Sequence, residues 1–471
     1  MKEVPLAVDL DGTLVRTDTL WESVAALVRR DPLAAFALPF WLLRGRAAFK
    51  SEVARRAEID VALLPYDANV LRELRRQRAE GRWLVLATAS DSRIAEGVAR
   101  HLGLFDAVLA SDGVRNLKRE AKAEALVERY GEGRFDYMGE DRHDVPVWKR
   151  AGAAYVVGAR ALARGLESSG KVVHEIPREP GGAVPLLRAL RVYQWAKNLL
   201  VFVPLATAHL LLLPGAVMAA VLAFTAFSLA ASAVYLANDL ADLQDDRRHP
   251  VKRARPLAAG EVAIGTAAML IVLLLAGSAA LCALLPPAFG ALLATYLAAN
   301  LAYSLRIKRI PVVDVFVLAG LYTLRILAGA AAIAVPVSHW LLGFSLFAFL
   351  SLALVKRFVE VSNVASRDEV NVAGRGYVAG DGELLAMLGT ASASLSVLVF
   401  ALYITSPQVV VLYRAPALLW FAVPLLLYWM SRIWFLAHRG ALHEDPLLFA
   451  LHDPVSYVTG LAIFLTMLAA T

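Results

Sequence analysis

The sequence predicts two structural classes in one chain, a doubly wound α/β domain followed by an all-α bundle of nine transmembrane helices. Three observations carry that expectation. Of 471 residues, 58% are hydrophobic and only 19% charged, against roughly 45–50% and about 25% in an average soluble domain. The apolar excess begins abruptly: residues 1–178 have ordinary charged composition, and the remainder falls into long uncharged runs. Within the first part, short apolar runs alternate with helical stretches, the pattern of a parallel sheet. A simple soluble enzyme is thereby excluded.

Taken in order, the strands fall at Pro5–Val8, Trp83–Ala87, Ala107–Ala110, Phe135–Met138 and Ala154–Val157, with helices between them. The opening MKEVPLAVDLDGTL is too short and too acidic for a signal peptide, so this domain is expected to stay in the cytoplasm. Its bounds are 1–170, with an inserted helical cap at about 15–80. The cap's apolar stretch Ala34–Leu43, with Trp41, reads as cap core, with a membrane contact as the alternative. Residues 171–186, with Pro177, Pro180, Gly181, Gly182 and Pro185, form a linker. The membrane domain occupies 187–471.

Nine segments are candidates to cross a bilayer, near 199–213 (extended upstream), 215–237, 262–285, 288–305, 312–334, 340–357, 384–405, 416–437 and 454–471. Basic residues crowd alternate connections, at Arg188–Lys197, Arg247–Arg255, Arg306–Arg309, Lys356–Arg375 and Arg432–Arg439, while Arg414 is the exception on the other side. The positive-inside rule then places the N-terminus in the cytoplasm, the C-terminus across an inner membrane, and every charged loop on the side of the soluble domain. Forty-eight Lys and Arg against 41 Asp and Glu give a net charge of +7; beside anionic lipid this excess needs no nucleic-acid partner. The single cysteine, Cys282, excludes an intramolecular disulfide and a multi-cysteine zinc site.

Directly after the first strand comes Asp9-Leu10-Asp11-Gly12-Thr13-Leu14. Two carboxylates two residues apart at a strand end suit a nucleophile toward phosphorus, Asp9, and an acid/base partner, Asp11; an acidic turn is the plainer reading. Thr88, with Ser90 as substitute, ends the second strand and offers a hydroxyl to a phosphoryl oxygen, and Lys122 offers compensating charge. Gly139-Glu140-Asp141-Arg142-His143-Asp144 adds oxygen ligands for Mg²⁺.

These residues, in this order, resemble the haloacid dehalogenase superfamily of phosphatases, whose core is Rossmann-like. The resemblance implies Asp9 as nucleophile, Asp11 as acid/base, Thr88 and Lys122 as phosphate-binding, and one Mg²⁺ held among Asp9, Asp11, Glu140 and Asp144. Glu140 stands where that family usually has Asp, which leaves Glu140 or Asp141 to share the metal with Asp144.

At the end of the second span lies Asn238-Asp239-Leu240-Ala241-Asp242-Leu243-Gln244-Asp245-Asp246, followed by Arg247, His249, Lys252 and Arg255. If the helix continues, Asn238, Asp242 and Asp246 share a face with Asp239 alongside. Such a face can hold Mg²⁺, and the bases behind it can grip phosphate. Charges at membrane depth are functional by default. Asp314 and Arg325 fall on one helix face, with an internal ion pair as the alternative. Tyr303, Arg306 and Lys308 close one helix, while Lys356, Arg357 and Glu360 leave another; Lys356 and Arg357 read equally as snorkelling anchors. Arg375 and Tyr377 lie beyond.

The acidic stretch resembles the first motif of the UbiA superfamily of intramembrane prenyltransferases, nine-helix proteins whose motif holds a diphosphate through Mg²⁺. Arg191 to Asn198 and the run Asp246–Pro256 look like the decaprenyl-phosphate phosphoribosyltransferase branch. The resemblance implies one or two Mg²⁺ on Asn238, Asp239, Asp242, Asp246 and Asp314, with Asp239, Asp242 and Asp246 catalytic. Substrate-binding residues would be Lys197, Asn198, Arg247, His249, Lys252, Arg255, Tyr303, Lys308, Arg325, Lys356, Arg357, Arg375 and Tyr377. The implied partners are phosphoribosyl diphosphate and a polyprenyl phosphate in the membrane, and a homo-oligomer is compatible with them. The implied product keeps a 5-phosphate for the soluble domain to remove. Rival readings are prenyl transfer to an aromatic or other acceptor, a regulatory soluble domain, and a transporter.

Overall fold

The structure, a computed structural model, describes residues 4–31, 33–112, 116–178, 182–365, 372, 374–407, 413–442 and 445–470. The chain divides into two compact units, Met1–Leu190 with Tyr235–Ile271, and Arg191–Val234 with Val272–Thr471.

The first unit is built on six parallel strands. They are β1 (Leu6–Val8), β2 (Leu84–Asp91), β3 (Ala107–Ser111), β4 (Asp136–Gly139), β5 (Ala153–Val157) and β6 (Val172–Ile176), in the order β3-β2-β1-β4-β5-β6. Val8 pairs with Leu86 on one side and Met138 on the other, which puts the end of β1 at the centre of the carboxyl edge. Between β1 and β2 run α1 (Thr19–Arg30), α2 (Ala34–Leu43), α3 (Arg46–Arg56) and α4 (Ala68–Ala79). Then follow α5 (Ser92–Leu102), α6 (Glu120–Tyr130), α7 (Val145–Arg150), α8 (Arg160–Ser168) and α9 (Ala183–Ala189).

The strand period of two sorts the core into two layers. Leu6, Val8, Leu84, Leu86 and Met138 meet Val70 and Leu74 of α4 and Val98 of α5. Ala7, Val85, Ala87, Tyr137 and Val156 meet Leu126, Trp148 and Ala163 of α6, α7 and α8. Helix α4 therefore belongs to the sheet layer, and the cap proper is α1 to α3, shorter than the expected 15–80. Its own small core joins Leu27, Ala34 and Val53 with Leu20, Val24, Leu38, Trp41 and Phe49. The Asp18 side chain caps α1 by accepting the Leu20 amide at 2.8 Å. Strand β6 lies in the stretch expected as linker; its exposed polar positions His174 and Glu175 hide the strand period. Pro180 and Gly181 of that linker lie outside the described residues.

The helices of the rest of the chain are α10 (Val203–Thr207), α11 (Pro214–Ala241), α12 (Leu243–Arg248), α13 (Ile264–Cys282), α14 (Pro287–Leu305), α15 (Val313–Ala332) and α16 (His339–Ala365). After them come α17 (Gly382–Ile404), α18 (Ala422–His438), α19 (Pro446–Ala450) and α20 (Pro454–Ala470). Among the described residues seven helices are long and apolar enough to cross a membrane, not the nine expected. Two expected spans account for the difference. The segment 199–213 is a 3₁₀ turn, Val192–Phe202, followed by the five-residue α10, which ends before His209 at φ +57°. That turn is held against α15, where a Cβ on Gly329 would lie 2.0 Å from the Val201 carbonyl oxygen. Helix α20 has 17 residues, about 26 Å at 1.5 Å per residue.

Within the second unit one apolar cluster ties α15, α16, α17 and α18 through Val315, Phe349, Leu385 and Ile433. Another ties α11, α14 and α15 through Phe227, Phe289 and Ala328.

Candidate active sites

In the first unit, the carboxyl edge of the sheet gathers the polar groups. The Asp9 amide is held by the Met138 carbonyl at 3.0 Å, and its Oδ2 lies 2.9 Å from Lys122 Nζ. The chain then turns through Gly12 at φ +74°, where a Cβ would sit 1.6 Å from Glu140 Oε1. Only glycine lets the backbone pass beneath that carboxylate. Asp11 accepts the Thr19 amide at 2.8 Å and the Ser90 hydroxyl. Thr88 is fully buried, and its hydroxyl accepts the Ser90 amide at 3.0 Å. Lys122 also donates to the Tyr137 hydroxyl at 2.8 Å, which donates to Asp144 Oδ1 at 2.8 Å. Asp144 Oδ2 takes the backbone amides of Glu140 and Asp141 at 3.0 and 3.3 Å.

Asp9, Lys122 and Asp144 thus form one connected cluster, and Asp11 and Thr88 meet through Ser90. Of the two alternatives for the extra acid, Glu140 faces Gly12 while Asp141 caps the turn at His143. Burial, opposed by Lys122 and reinforced by Asp144, pushes the Asp9 carboxyl up to about 7. Burial and the neighbouring Asp9 push Glu140 up to about 9. This excess of buried acid, with oxygen donors alone, fits a hard divalent cation. Among the described residues no three His, Cys, Asp or Glu side chains converge into a finished cage. Mg²⁺ suits that arrangement, since it usually takes one or two carboxylates, waters and a substrate phosphate.

Two residues here had no signal in the sequence. Lys50 of α3 donates to the Ala89 carbonyl at 2.9 Å, and burial lowers its pKa against the pull of Asp11 and Asp18. Arg178 donates to the carbonyls of Gly12 and Thr13 at 2.6 and 2.9 Å and to Asp67 at 2.8 Å, locking the first loop. Neither belongs to a motif.

The acidic stretch also lies in the first unit. Helix α11 stops at Ala241 and Asp242 heads α12, so the single continuing helix that was expected is broken. The spacing survives because the Asp242 amide bonds the Asn238 carbonyl at 2.9 Å and the Asp246 amide bonds that of Asp242 at 2.8 Å. Asp239 and Asp246 are buried, and one Arg255 nitrogen lies 3.2 and 2.6 Å from them. A positive group already bridges the two carboxylates, so this oxygen donor set also fits a divalent cation. Arg247 turns to the cap: it grips both carboxylate oxygens of Glu22 at 3.0 and 2.6 Å and bonds the Ala258 carbonyl, with both side chains buried. The His249 ring accepts the amides of Val251 and Lys252, and Lys252 is exposed.

Three polar clusters of the second unit contain the expected site residues. Asp314 and Arg325, on one helix, go to different partners. Asp314 is fully buried, pairs with Arg357 and accepts the Tyr377 hydroxyl. Arg357 also pairs with Glu360 and donates to the Tyr303 hydroxyl at 2.8 Å, which Arg375 reaches at 2.7 Å. Arg357 is 1% exposed, so it is no snorkelling anchor. Arg325 donates to Asn198 at 2.9 Å and to the Tyr296 hydroxyl at 3.1 Å. Lys197 and Lys356 converge on Asp445 at 2.8 and 3.6 Å, beside a cavity of about 550 Å³ that Gln194 and His452 help to line. No spacing motif marks Asp445, which lies just ahead of Pro446. Lys308 closes α14 in a 3₁₀ turn.

A haloacid dehalogenase-like hydrolase model matches residues 6–149, and a UbiA prenyltransferase family model matches residues 199–453. An uncharacterized protein of Sinorhizobium fredii, y4nM, is 38% identical over 466 residues, covering 98% of this chain and 90% of its own. A decaprenyl-phosphate phosphoribosyltransferase of Mycobacterium tuberculosis is 39% identical over 184 residues, 37% of this chain and 60% of its own. A UbiA homolog from Archaeoglobus fulgidus, solved bound to GPP and Mg²⁺, covers 60% of this chain and 98% of its own at 18% identity and a TM-score of 0.46.

Proposed function

Because the chain belongs to the UbiA prenyltransferase family and carries a haloacid dehalogenase-like domain ahead of that match, we propose that it moves 5-phosphoribose from phosphoribosyl diphosphate to a polyprenyl phosphate and then removes the 5-phosphate. One observation supports the pairing above others. A constellation suited to phosphomonoester hydrolysis, Asp9 on Lys122 beside Thr88, shares a chain with a segment similar to an enzyme named for phosphoribosyl transfer. The product of such a transfer is a phosphomonoester.

In the transferase step, Asn238, Asp239, Asp242 and Asp246 would hold one or two Mg²⁺; Asp314, expected as a further ligand, is instead taken up by Arg357 and the Tyr377 hydroxyl. The ion supplies charge neutralisation for the departing diphosphate. The bond from ribose C1 to the diphosphate oxygen breaks, and a polyprenyl phosphate oxygen forms the new bond to C1. Arg255 and Lys252 would offset the leaving charge, and stabilising that charge would dominate the acceleration; Lys197, Lys308, Arg325, Lys356, Arg375 and Tyr377 are the second unit's proposed phosphate-binding residues. Arg247, His249, Asn198, Tyr303 and Arg357 hold this machinery in place.

In the phosphatase step, one Mg²⁺ would be held by Asp9 and one acid of the Glu140–Asp144 turn, with waters and the substrate phosphate and with Asp11 close by. Asp9 attacks phosphorus, Asp11 gives its proton to the departing ribose O5, and water then cleaves the aspartyl-phosphate with Asp11 as base. Lys122 and Thr88 hold the phosphoryl oxygens. The soluble domain and charged loops would face the cytoplasm, with the C-terminus opposite. The family's prenyl chemistry favours a second reading, transfer of a prenyl group from its diphosphate to an acceptor. Purified protein given polyprenyl phosphate and labelled phosphoribosyl diphosphate should form labelled lipid; diphosphate release only with a prenyl diphosphate and an acceptor would overturn the first reading.

A further inference from the structure

We propose that cap helix α2 lies in the bilayer surface, with its outer face seated at the boundary between lipid headgroups and acyl chains. Helix α2 is AAFALPFWLL, ten residues without a charge. Its inner face, Ala34, Leu38 and Trp41, supplies the small cap core. The outer face is equally apolar and uncovered: Leu33 is 73% exposed, Phe40 69%, Leu42 52% and Leu43 85%. A helix needed only for cap packing would carry polar groups on that side.

The first unit itself places this face near a membrane. The α1 face carrying Glu22, Ala25 and Arg29 borders Leu240 and Gln244 at the end of the spanning helix α11. Glu22 is clamped there by Arg247, and Arg29 pairs with Asp245 at 2.6 Å. At the head of the next span, the Trp21 ring lies 3.1 Å from where a Cβ on Gly265 would be. Helix α13 has 19 residues, about 28 Å of helix against a hydrocarbon core of roughly 30 Å. Its first turn, with Gly265, must therefore stand at the hydrocarbon edge. Helix α1 is thus pinned at the interface, and α2 packs on α1 at the usual helix spacing of about 8–10 Å. Trp21, half-exposed beside Gly265, is the residue type that membrane interfaces favour. Exposed Arg44, just past α2, offers a charge to anionic headgroups. The occupant of the apolar face is accordingly lipid, and this holds whatever the transferase substrate is.

The test uses the full chain with Cys282→Ala and Leu43→Cys, the new thiol carrying an environment-sensitive fluorophore, at one chain per nanodisc of phosphatidylcholine and phosphatidylglycerol. Ala79→Cys on exposed α4 serves as the reference position, and an unchanged thermal midpoint certifies each labelled protein. The Leu43 probe should emit to the blue of the Ala79 probe and lose intensity when the lipids carry bromine on their acyl chains. Emission typical of water at Leu43, or a blue shift that brominated lipid leaves unquenched, would overturn the proposal; the latter would mean that protein covers the face.

Discussion

The sheet edge of the first unit and the helices of the second hold their acids by different means. At the head of the sheet, Asp9, Asp11 and Asp144 are fixed by backbone: strand pairing places Asp9, amides hold Asp11 and Asp144, and Lys122 compensates Asp9. In the helical second unit, Arg357 neutralises Asp314, and Lys197 with Lys356 neutralises Asp445, which also accepts the Leu447 amide at 3.2 Å. Asp314 lies in the first turn of α15 and Asp445 just ahead of α19, so free amides are near, yet each buried carboxylate is neutralised by arginine or lysine. A strand end has free amides and lends them. Removing a charge should accordingly disturb chemistry in the first unit and folding in the second.

The largest effect should follow Asp9→Asn, which removes the attacking oxygen while leaving the amide contacts. Phosphatase turnover should fall by roughly 10³-fold or more, and mass spectrometry should find the lipid product still carrying its 5-phosphate. Next comes Arg357→Met, which strands the buried Asp314 carboxylate; the expected loss is about 3–5 kcal/mol of stability, read as a lowered unfolding midpoint in detergent. A change confined to activity would break the contrast drawn between the units. Asp246→Asn sharpens it from the other side. Loss of one ligand should cut transferase activity by roughly 100-fold with little change in midpoint, because Arg255 keeps Asp239 as a partner.

The most graded effect concerns pH. Asp9 is held up near 7 by burial, so the folded chain keeps a proton that the unfolded chain releases near the ordinary carboxylate value of 3.8. Stability without divalent cation should then fall as pH rises from about 4 to about 7, and level off for this group above that. Glu140, raised to about 9, extends the decline. Thermal unfolding across this range with and without Mg²⁺ checks it, and added Mg²⁺ should flatten the slope.

Five strands were legible because parallel strands buried on both faces read as apolar runs. The sixth, β6, was not, since an edge strand with His174 and Glu175 exposed lacks that run. Asp9 and Lys122 stood out through spacing at strand and helix starts, whereas Lys50 reaches the same edge from the cap and no local pattern marks it. In the membrane domain the spacing of Asn238, Asp242 and Asp246 was legible, but the helix break between them was not. Ala241 and Asp242 carry no proline or glycine to announce it. The ion pair of Asp314 with Arg357 joins residues 43 apart, a separation that no periodicity reports. The first expected span failed because composition counts apolar residues without seeing that a 3₁₀ turn and Pro204 interrupt them.

The clasp of Glu22 by Arg247 also sets a schedule for biosynthesis. The two residues are 225 positions apart, so at 5–20 residues per second the ribosome delivers the arginine roughly 11–45 s after the glutamate. Through that interval the cap carries an acid whose countercharge does not yet exist. All six strands are synthesised by Ile176, but the cap's clasp can close only once the chain has run through helix α11 to Arg247.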